Sequence, residues 1–495
     1  MGQPFTIGMD IGTTSTKAVL YDAAFAALDT ATVGYPTIRT EEGMAEQDPL
    51  AIQAAVLSVL KTVLDRNASV RDQIASVAFS CAMHSVLLVS ETGEPVTPVY
   101  TWADNRSNPT LQALQAETDL QWVYQKTGTP IHSMSPFSKL LWLQAEHPEW
   151  LSEGVRIVGI KEYITHHFTG EWKVDYSIAS ATGLFNLERL DWDDDILDFV
   201  GVNRKAFSEP VDTNAVFGGR IEGAYAAAGL PLTAKLVIGA SDGCLANLGL
   251  NAIGNNEAAM TIGTSGAVRM VSDHIALDPE GRTFCYYLAK DKWVVGGAVN
   301  NGGNAFEWIA TMLSKDGAAD YAALNALAAS IEAGSDGLLF FPYLNGERAP
   351  LWDAAVQAHF VGLTAIHTPG HLVRSVMEGV LFNLAEVLHI LETFAGPARS
   401  LKVTGGFLHS PLWKQMTADI LNKTLTLSPQ FESSCLGAAL IGQEHTPAFL
   451  ETMEAEEVVP DEATAQVYAK TYALYYALAK PIKEIHAIKA AHCRK

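Results

Sequence analysis

A glycine-and-hydroxyl turn between two apolar runs occurs twice in this sequence, and this repeat constrains the possible folds most strongly. Met9–Thr14 (Met-Asp-Ile-Gly-Thr-Thr) is echoed by Met260–Ser265 (Met-Thr-Ile-Gly-Thr-Ser), and strand-type apolar residues flank both copies. Glycine lets the backbone approach a ligand closely, and successive N–H and hydroxyl groups form a nest of donors that suits a polyphosphate. Because each copy opens one half of the chain, the repeat predicts a duplicated domain with a nucleotide clamped between the copies.

Length and composition fit this duplication. At 495 residues the chain is too long for one hydrophobic core, and strand-type and helix-type patterns alternate throughout. We therefore predict an α/β protein with two large domains, residues 1–250 and 251–495. The net charge of −22 argues against nucleic acid or an anionic membrane surface as the main partner.

No apolar run is long enough to span a membrane and no secretory signal is evident, which predicts a cytoplasmic protein. The scattered cysteines form no C-x-x-C pair, so we expect free thiols in a reducing compartment. The five cysteines are Cys81, Cys244, Cys285, Cys435 and Cys493.

The first turn supplies candidate phosphate-binding residues and a candidate metal ligand. The turn residues are Gly12, Thr13, Thr14 and Ser15. Asp10 lies just before them and would face the same place, where its carboxylate could hold a cation directly or through water. The second copy has Thr261 at the equivalent position, so only the first half keeps the acid. A polar hairpin without a ligand is the alternative for one isolated turn.

Asp242 is the candidate general base. It follows a predicted strand at the start of a predicted helix, between Ser241 and Gly243. In phosphoryl transfer the protein mainly positions groups and neutralises charge, so one carboxylate that accepts the proton of the attacking hydroxyl is enough. The alternative is a structural helix cap, since Asp is a favoured capping residue.

Two Gly-Gly pairs lie in the second half. Gly302-Gly303 and Gly405-Gly406 each end a predicted strand and precede a predicted helix. Such turns bring helix N-termini toward anions and leave room for a base or ribose. The alternative is close packing of the helix on the strand.

A polar loop in the first half suits a polyol. Trp102, Asp104 and Arg106 combine an aromatic wall with a hydrogen-bonding carboxylate and a cation. Met83 and His84 follow a predicted strand and would complete such a pocket, although a lone histidine is more often structural.

Taken together, these motifs resemble those of the FGGY carbohydrate kinases over nearly the whole chain. The matching motifs are Asp10–Ser15, Met83-His84, Trp102–Arg106, Pro136–Leu143, Ser241–Gly243, Thr261–Ser265, Gly346–Arg348, Glu378–Asn383 and Thr404–Gly406. The resemblance implies two actin-like (ribonuclease H-like) domains with an interdomain catalytic cleft. It also implies ATP and Mg²⁺, with the sugar site, the base and the first phosphate loop in the first domain and ATP binding in the second.

The resemblance implies a role for individual residues, with Asp242 as the base. The family's nucleotide-contacting positions are occupied by Thr13, Thr264, Gly303, Glu307, Gly406 and Ser410. With Gly12, Thr14, Ser15, Gly263 and Gly405 they make up the predicted ATP site. The predicted substrate site comprises Met83, His84, Trp102, Asp104, Arg106 and Asp242, and Asp10 is the predicted metal ligand. Ser410 departs from the family, because glycerol kinases carry Asn there.

The segments Cys81–Ser85, Thr101–Ser107 and Ser241–Gly249 look most like those of the gluconate kinases of this family. This resemblance implies ATP-dependent phosphorylation of the alcohol group of a sugar acid, D-gluconate, to 6-phospho-D-gluconate. Arg106, Lys17 or Arg348 would then pair with the substrate carboxylate. A xylulose or other polyol kinase is the nearer alternative, and a non-catalytic actin-like nucleotide-binding protein is the more distant one. The sequence leaves a monomer and a homodimer open.

Overall fold

The computed structural model describes residues 4–218, 221, 223–254, 256–314, 320–427, 432–441 and 456–493. In chain order its strands are β1 (Phe5–Ile11), β2 (Ser15–Tyr21), β3 (Ala27–Gly34), β4 (Glu46–Gln47), β5 (Ile74–Cys81), β6 (Leu87–Ser90), β7 (Val99–Tyr100), β8 (Val155–Val158), β9 (Lys173–Asp175), β10 (Phe185–Asn186), β11 (Asp191–Trp192), β12 (Glu209–Val211), β13 (Lys235–Ser241), β14 (Glu257–Ile262), β15 (Gly266–Ser272), β16 (Phe284–Ala289), β17 (Lys292–Val299), β18 (Leu339–Phe341), β19 (His359–Val361), β20 (Ser400–Thr404), β21 (Leu425–Leu427) and β22 (Glu456–Val458). Its helices are α1 (Pro49–Arg66), α2 (Asn108–Glu117), α3 (Gln121–Thr127), α4 (Pro136–Glu146), α5 (Ile160–Thr169), α6 (Tyr176–Ser180), α7 (Asp194–Val200), α8 (Gly223–Ala227), α9 (Asp242–Gly249), α10 (Gly303–Leu313), α11 (Tyr321–Ala329), α12 (Pro369–Ala395), α13 (Pro411–Leu421), α14 (Ser433–Leu440) and α15 (Glu462–Cys493).

The chain divides into two compact units. The first comprises Met1–Ile253, Ser272–Val294 and Glu432–Met453, and the second comprises Gly254–Val271, Val295–Phe431 and Glu454–Lys495. Two later segments of the chain therefore cluster with the first unit, although they lie beyond residue 250 in sequence.

The first unit is built on a mixed sheet with the strand order β13-β5-β1-β2-β3. β1 pairs antiparallel with β2, and β2 with β3, as the first turn predicts. β5 pairs in parallel with both β1 and β13, so these three strands run in one direction. Parallel strands have both faces covered, which explains their runs of buried residues.

The second unit repeats this arrangement. Its strands lie side by side in the order β17-β15-β14-β20-β21-β22. β14 pairs antiparallel with β15, while β20 pairs in parallel with β14 and β21. Each unit thus has a central hairpin, a further strand beyond it and two parallel strands on the other side. The predicted duplication is confirmed, and this topology is the actin-like (ribonuclease H-like) fold.

The helices follow from capping and burial patterns. α1 begins after Asp48, whose side chain accepts a hydrogen bond from Leu50 N–H, and Pro49 occupies its first turn. Its buried residues lie on one side, which packs on β2 and β3. α12 is buried on nearly all sides because α10, α11, α13 and β18 surround it. Within the described residues, no helix combines the length and the apolar character needed to cross a bilayer.

Helix α14 lies very close to its neighbours in the first unit because glycines occupy the contacts. A Cβ built on Gly8 of β1 would lie 2.1 Å from Cys435 O, and one on Gly437 would lie 2.0 Å from Leu245 O. The four cysteines whose side chains are described are free and buried, Cys435 among them. The side chain of Cys493 lies outside the described residues.

We expect Gly437→Ala to destabilise the protein. The added methyl group would overlap a backbone oxygen, so α14 and α9 must separate, and overpacking of this kind costs about 3 kcal/mol. Thermal unfolding would measure the fall in Tm. Gly218→Ala is the matched control, because the nearest atom to its added Cβ lies 3.9 Å away. Equal Tm values for the two variants would contradict the close contact.

Candidate functional site

The carboxyl ends of three parallel strands bring the predicted catalytic residues to one edge of the first sheet. Cys81, the last residue of β5, is in register with Ile11 of β1 and with Ser241 of β13. Asp10 precedes Ile11, and Asp242 follows Ser241 as the first residue of α9. Ligands of open α/β sheets bind at such carboxyl edges. Asp10 and Asp242, far apart in sequence, therefore belong to one site.

Asp242 is not the cap of its helix, since Ser241 occupies the N-cap position. The Asp242 carboxylate accepts a hydrogen bond from Gly243 N–H at 2.7 Å and remains partly exposed. The Asp242 carbonyl accepts from the Ser434 hydroxyl at 3.3 Å. The Asp242 carboxylate therefore lies at the edge of the sheet. It belongs to the first turn of α9, which Ser434 of α14 contacts by a hydrogen bond.

Asp10 and Asp242 interact electrostatically. Burial and, second, the negative charge of Asp242 raise the pKa of the Asp10 carboxyl to about 6. A hydrogen bond from the Ser80 hydroxyl, 2.6 Å from Oδ1, and the charge of Lys17 act in the opposite direction. Lys17 is itself paired with Glu432 at 2.5 Å. A buried carboxyl beside a second negative charge suits a divalent cation, whose charge would relieve the repulsion.

A buried polar network that sequence reasoning missed lies behind Asp242. Lys161 pairs with Asp175 at 2.6 Å and donates to Ala240 O at 3.1 Å. Asp175 caps α6, and the Ser177 hydroxyl of that helix lies 2.9 Å from the Ser241 hydroxyl. Both ionic side chains are at most 2% exposed. The signal in the sequence was a Lys-Glu pair within the otherwise apolar start of α5.

The polar loop after β7 is held together by ion pairs. Arg106 Nη2 lies 2.7 Å from Asp104 and 2.5 Å from Glu46, and Arg106 Nε also donates to Asp104. The guanidinium stands over the rings of Tyr100 and Trp142. Asp104 and Arg106, both predicted to bind substrate, are thus each other's partners.

Trp102 joins the polar loop to the first phosphate turn. Its indole Nε1–H donates to the Thr13 hydroxyl at 3.0 Å. His84 has a left-handed backbone conformation (φ 65°), and its Nδ1 lies 2.7 Å from Ala181 O, so Nδ1 carries the proton. Met83 beside it is partly exposed.

The second unit contains a cavity of about 620 Å³. Its lining includes the predicted nucleotide residues Gly263, Thr264, Gly303, Glu307, Gly406 and Ser410. Gly405 is not part of the lining. It has φ of 120°, and a Cβ there would lie 2.2 Å from Ile262 O, so its glycine allows β20 to end close against β14.

The first N–H groups of α10 form hydrogen bonds with the second turn and do not face a ligand. Gly303 N–H donates to Gly263 O at 2.7 Å, and Gly302 N–H donates to Thr264 O at 3.1 Å. A Cβ on either Gly302 or Gly303 would come within 3.0 Å of the turn backbone. We expected these N–H groups to face an anion, whereas the structure uses them on the turn carbonyls.

Aromatic residues outside the motifs form the walls of the cavity. Phe306 lies 5.3 Å from Trp413 and 5.9 Å from Tyr321, measured between ring centroids, and all three line the cavity. The Ser410 hydroxyl donates to Asn325 Oδ1 at 2.7 Å. A cavity with flat apolar walls and a polar edge suits a nucleobase. Sequence reasoning missed Phe306, Tyr321, Asn325 and Trp413, since isolated residues of this kind carry no spacing signal.

These two units define a sugar-kinase class of protein, with paired carboxylates at one sheet edge and a nucleotide-sized cavity beside a phosphate-type turn. Family models support this class directly. The model of the FGGY family of carbohydrate kinases, N-terminal domain, matches residues 5–249, and that of the C-terminal domain matches residues 258–443. The chain belongs to the FGGY family of carbohydrate kinases.

Similar proteins agree with this assignment. The chain is 42% identical over 450 residues to a gluconokinase of Bacillus subtilis, covering 88% of this chain and 87% of that protein. The crystal structure of a gluconate kinase from Lactobacillus acidophilus has a TM-score of 0.91 and 34% identity, covering 97% of this chain and 98% of that one. A ligand-bound xylulose kinase from the same organism also has a TM-score of 0.91, with 35% identity, covering 97% of this chain and 100% of that one.

We expect Asp10→Asn to stabilise the protein at neutral pH. A carboxyl whose folded-state pKa is raised keeps its proton to higher pH in the folded than in the unfolded protein, so its ionisation weakens folding. This cost is absent below about pH 4 and complete above about pH 6. The Tm gain of Asp10→Asn over the wild type should therefore grow across that window.

Asp65→Asn serves as the control of opposite sign. A hydrogen bond from Lys61 lowers the pKa of this exposed carboxyl, so its ionised form favours folding and its removal should give no gain. A Tm gain of Asp10→Asn that stays constant with pH would contradict the assignment.

Proposed function

We propose that the protein phosphorylates D-gluconate with ATP, giving 6-phospho-D-gluconate and ADP. The carboxylate pair Asp10–Asp242 at the carboxyl edge of β1 and β13 is the observation that carries the chemistry. The 42% identity to a gluconokinase over most of the chain supports the choice of substrate. We further propose a cytoplasmic setting, which supplies ATP and suits buried free thiols.

In this proposal Asp242 acts as the general base. The terminal hydroxyl of gluconate attacks the γ-phosphorus, its oxygen forms the new P–O bond, and Asp242 takes the proton. The bond from the γ-phosphorus to the β,γ-bridging oxygen breaks, and ADP leaves. Asp242 is suited to this because it is partly exposed and fixed at the start of α9. The Lys161–Asp175 pair holds the preceding strand end at Ala240.

The residues proposed to bind ATP are those of the two phosphate-type turns and of the cavity. The nucleoside would occupy the cavity walled by Phe306 and Trp413, with Gly263, Thr264, Gly303, Glu307, Gly405, Gly406 and Ser410 around it. The residues proposed for the phosphates are Gly12, Thr13, Thr14 and Ser15. Asp10 would hold Mg²⁺, which supplies neutralisation of phosphate charge when bound.

The substrate would lie against the polar loop, with Met83, His84, Trp102 and Asp104 around its hydroxyl groups. We propose that Arg106 binds the substrate carboxylate. Its ion pairs with Asp104 and Glu46 use Nε and Nη2, while Nη1 carries two further N–H donors. Lys17 is paired with Glu432, and Arg348 donates to Asn300 and to Val299 O. We choose Arg106 among these three cations because it belongs to the polar loop proposed for the substrate and because its Nη1 takes no part in its ion pairs.

The decisive experiment is ATP turnover with gluconate, xylulose, ribulose and glycerol as acceptors. We expect turnover with gluconate, and Asp242→Asn should lower kcat roughly 100- to 10,000-fold, the range of a lost general base. The similarity to a xylulose kinase makes a neutral ketose the second candidate. Preference for xylulose would keep the mechanism and overturn the substrate. ATP turnover independent of any acceptor would overturn both.

We expect Arg106→Gln to raise the KM for gluconate roughly tenfold or more, since a charge-assisted hydrogen bond is lost. The KM for ATP should change little. Glu46→Gln is the matched control, because it removes one partner of Arg106 and keeps the guanidinium. Equal increases of both KM values in Arg106→Gln would contradict a direct contact with the sugar acid.

A further inference from the structure

Every backbone carbonyl of the first phosphate turn, residues 12–15, is already occupied by a donor within the first unit. Two of the donors are side chains from outside the turn, and two are backbone N–H groups. The acceptor–donor pairs are Gly12 O with Tyr35 Oη (2.6 Å), Thr13 O with Gln47 Nε2 (2.5 Å), Thr14 O with Tyr35 N (3.1 Å) and Ser15 O with Gly12 N (3.0 Å).

The two side chains approach the turn from different elements. Tyr35 follows β3 and is 9% exposed, and its hydroxyl also lies 3.3 Å from the Thr16 hydroxyl. Gln47 belongs to β4 and is 4% exposed, and its amide also donates to the Thr37 hydroxyl at 3.1 Å. Both side chains are therefore buried and fixed by a second hydrogen bond.

Occupied carbonyls matter at a phosphate site because a carbonyl oxygen repels a phosphate oxygen, whereas an N–H attracts it. A peptide unit that rotates would replace a donor by an acceptor at the same place. Holding each carbonyl away from the ligand therefore fixes the polarity of the turn before the ligand arrives. Trp102 orients the Thr13 hydroxyl in a similar way. The indole N–H of Trp102 donates to the hydroxyl oxygen, which leaves the hydroxyl proton for donation to the ligand.

The second turn meets the same requirement with backbone groups alone. Gly263 O accepts from Gly303 N–H, and Thr264 O accepts from the N–H groups of Gly302 and Asn304. Here the start of α10 supplies the donors. Within the described residues of the first unit, no helix start donates to the carbonyls of the first turn. Tyr35 and Gln47 supply donors there instead.

We propose that Tyr35 and Gln47 are positioning residues for phosphoryl transfer, which hold the carbonyls of residues 12–15 so that the turn presents only donors to the transferred phosphate. This role rests on the proposed kinase function and acts through the turn, without contact to the substrate. Because the donors serve the charge that develops during transfer, their loss lowers kcat more than it raises the KM of the sugar acid.

Tyr35→Phe and Gln47→Met test this role, since each removes a donor and keeps the size of the side chain. We expect kcat to fall roughly tenfold in each, with a KM for the acceptor close to that of the wild type. Gln121→Met is the matched control, because Gln121 also donates to a backbone carbonyl, that of Pro279 at 3.2 Å, away from the turn. Its kcat should equal that of the wild type.

Amide hydrogen exchange of the peptide covering residues 9–20 gives a second readout that needs no substrate. We expect this peptide to exchange faster in Tyr35→Phe and in Gln47→Met than in the wild type. Its exchange in Gln121→Met should match that of the wild type. Unchanged exchange together with unchanged kcat would overturn the proposal, and so would a fall in kcat that Gln121→Met shares. If the wild type prefers another acceptor than gluconate, the kcat comparison uses that acceptor, so failure of the proposed substrate is distinguished from failure of this inference.

Discussion

The Asp10 carboxyl, buried beside the negative charge of Asp242, is the group on which the electrostatics of the site in the first unit depend. Two carboxylates meet because three parallel strands end at one edge, and such a pair raises the free energy of the folded protein unless charge is supplied. The Ser80 hydroxyl and the charge of Lys17 offset only part of the effect of burial and of the Asp242 charge, since the pKa of Asp10 still lies near 6. Burial and the neighbouring charge of Asp242 thus outweigh the Ser80 hydrogen bond and the Lys17 charge at the Asp10 carboxyl.

The backbone carbonyls of the two phosphate-type turns are engaged by different kinds of donor in the two units. A turn presents donors to an anion only if its carbonyls are engaged elsewhere, and both turns satisfy this condition. In the second unit the helix that follows the sheet does so with its first N–H groups, which requires Gly302 and Gly303 because any Cβ would collide with the turn. In the first unit, Tyr35, just after β3, and Gln47 of β4 supply side-chain donors. The duplicated fold thus differs between the two units in the contacts that support the turns.

Much of the fold and part of the site follow from local pattern. The repeated Ile-Gly-Thr turn predicted both hairpins, β1–β2 and β14–β15, because glycine and hydroxyl residues between apolar runs leave few other conformations. Asp10 and Asp242 were found because each adjoins a strand end, where polar residues in an apolar context stand out. The aromatic walls around Phe306 and Trp413 could not be found, since their neighbours come from distant parts of the chain.

The sequence by itself determined the duplicated α/β architecture, the turns and the residue types that phosphoryl transfer needs, because these depend on spacing within a few residues. Only the tertiary structure decided how these groups are used. It paired Arg106 with Asp104, directed the first N–H groups of α10 onto the second turn, and assigned the segments 272–294 and 432–453 to the first unit. The physical reason is that hydrogen bonds and burial between distant segments are fixed by the packing of the whole sheet, which no local pattern records.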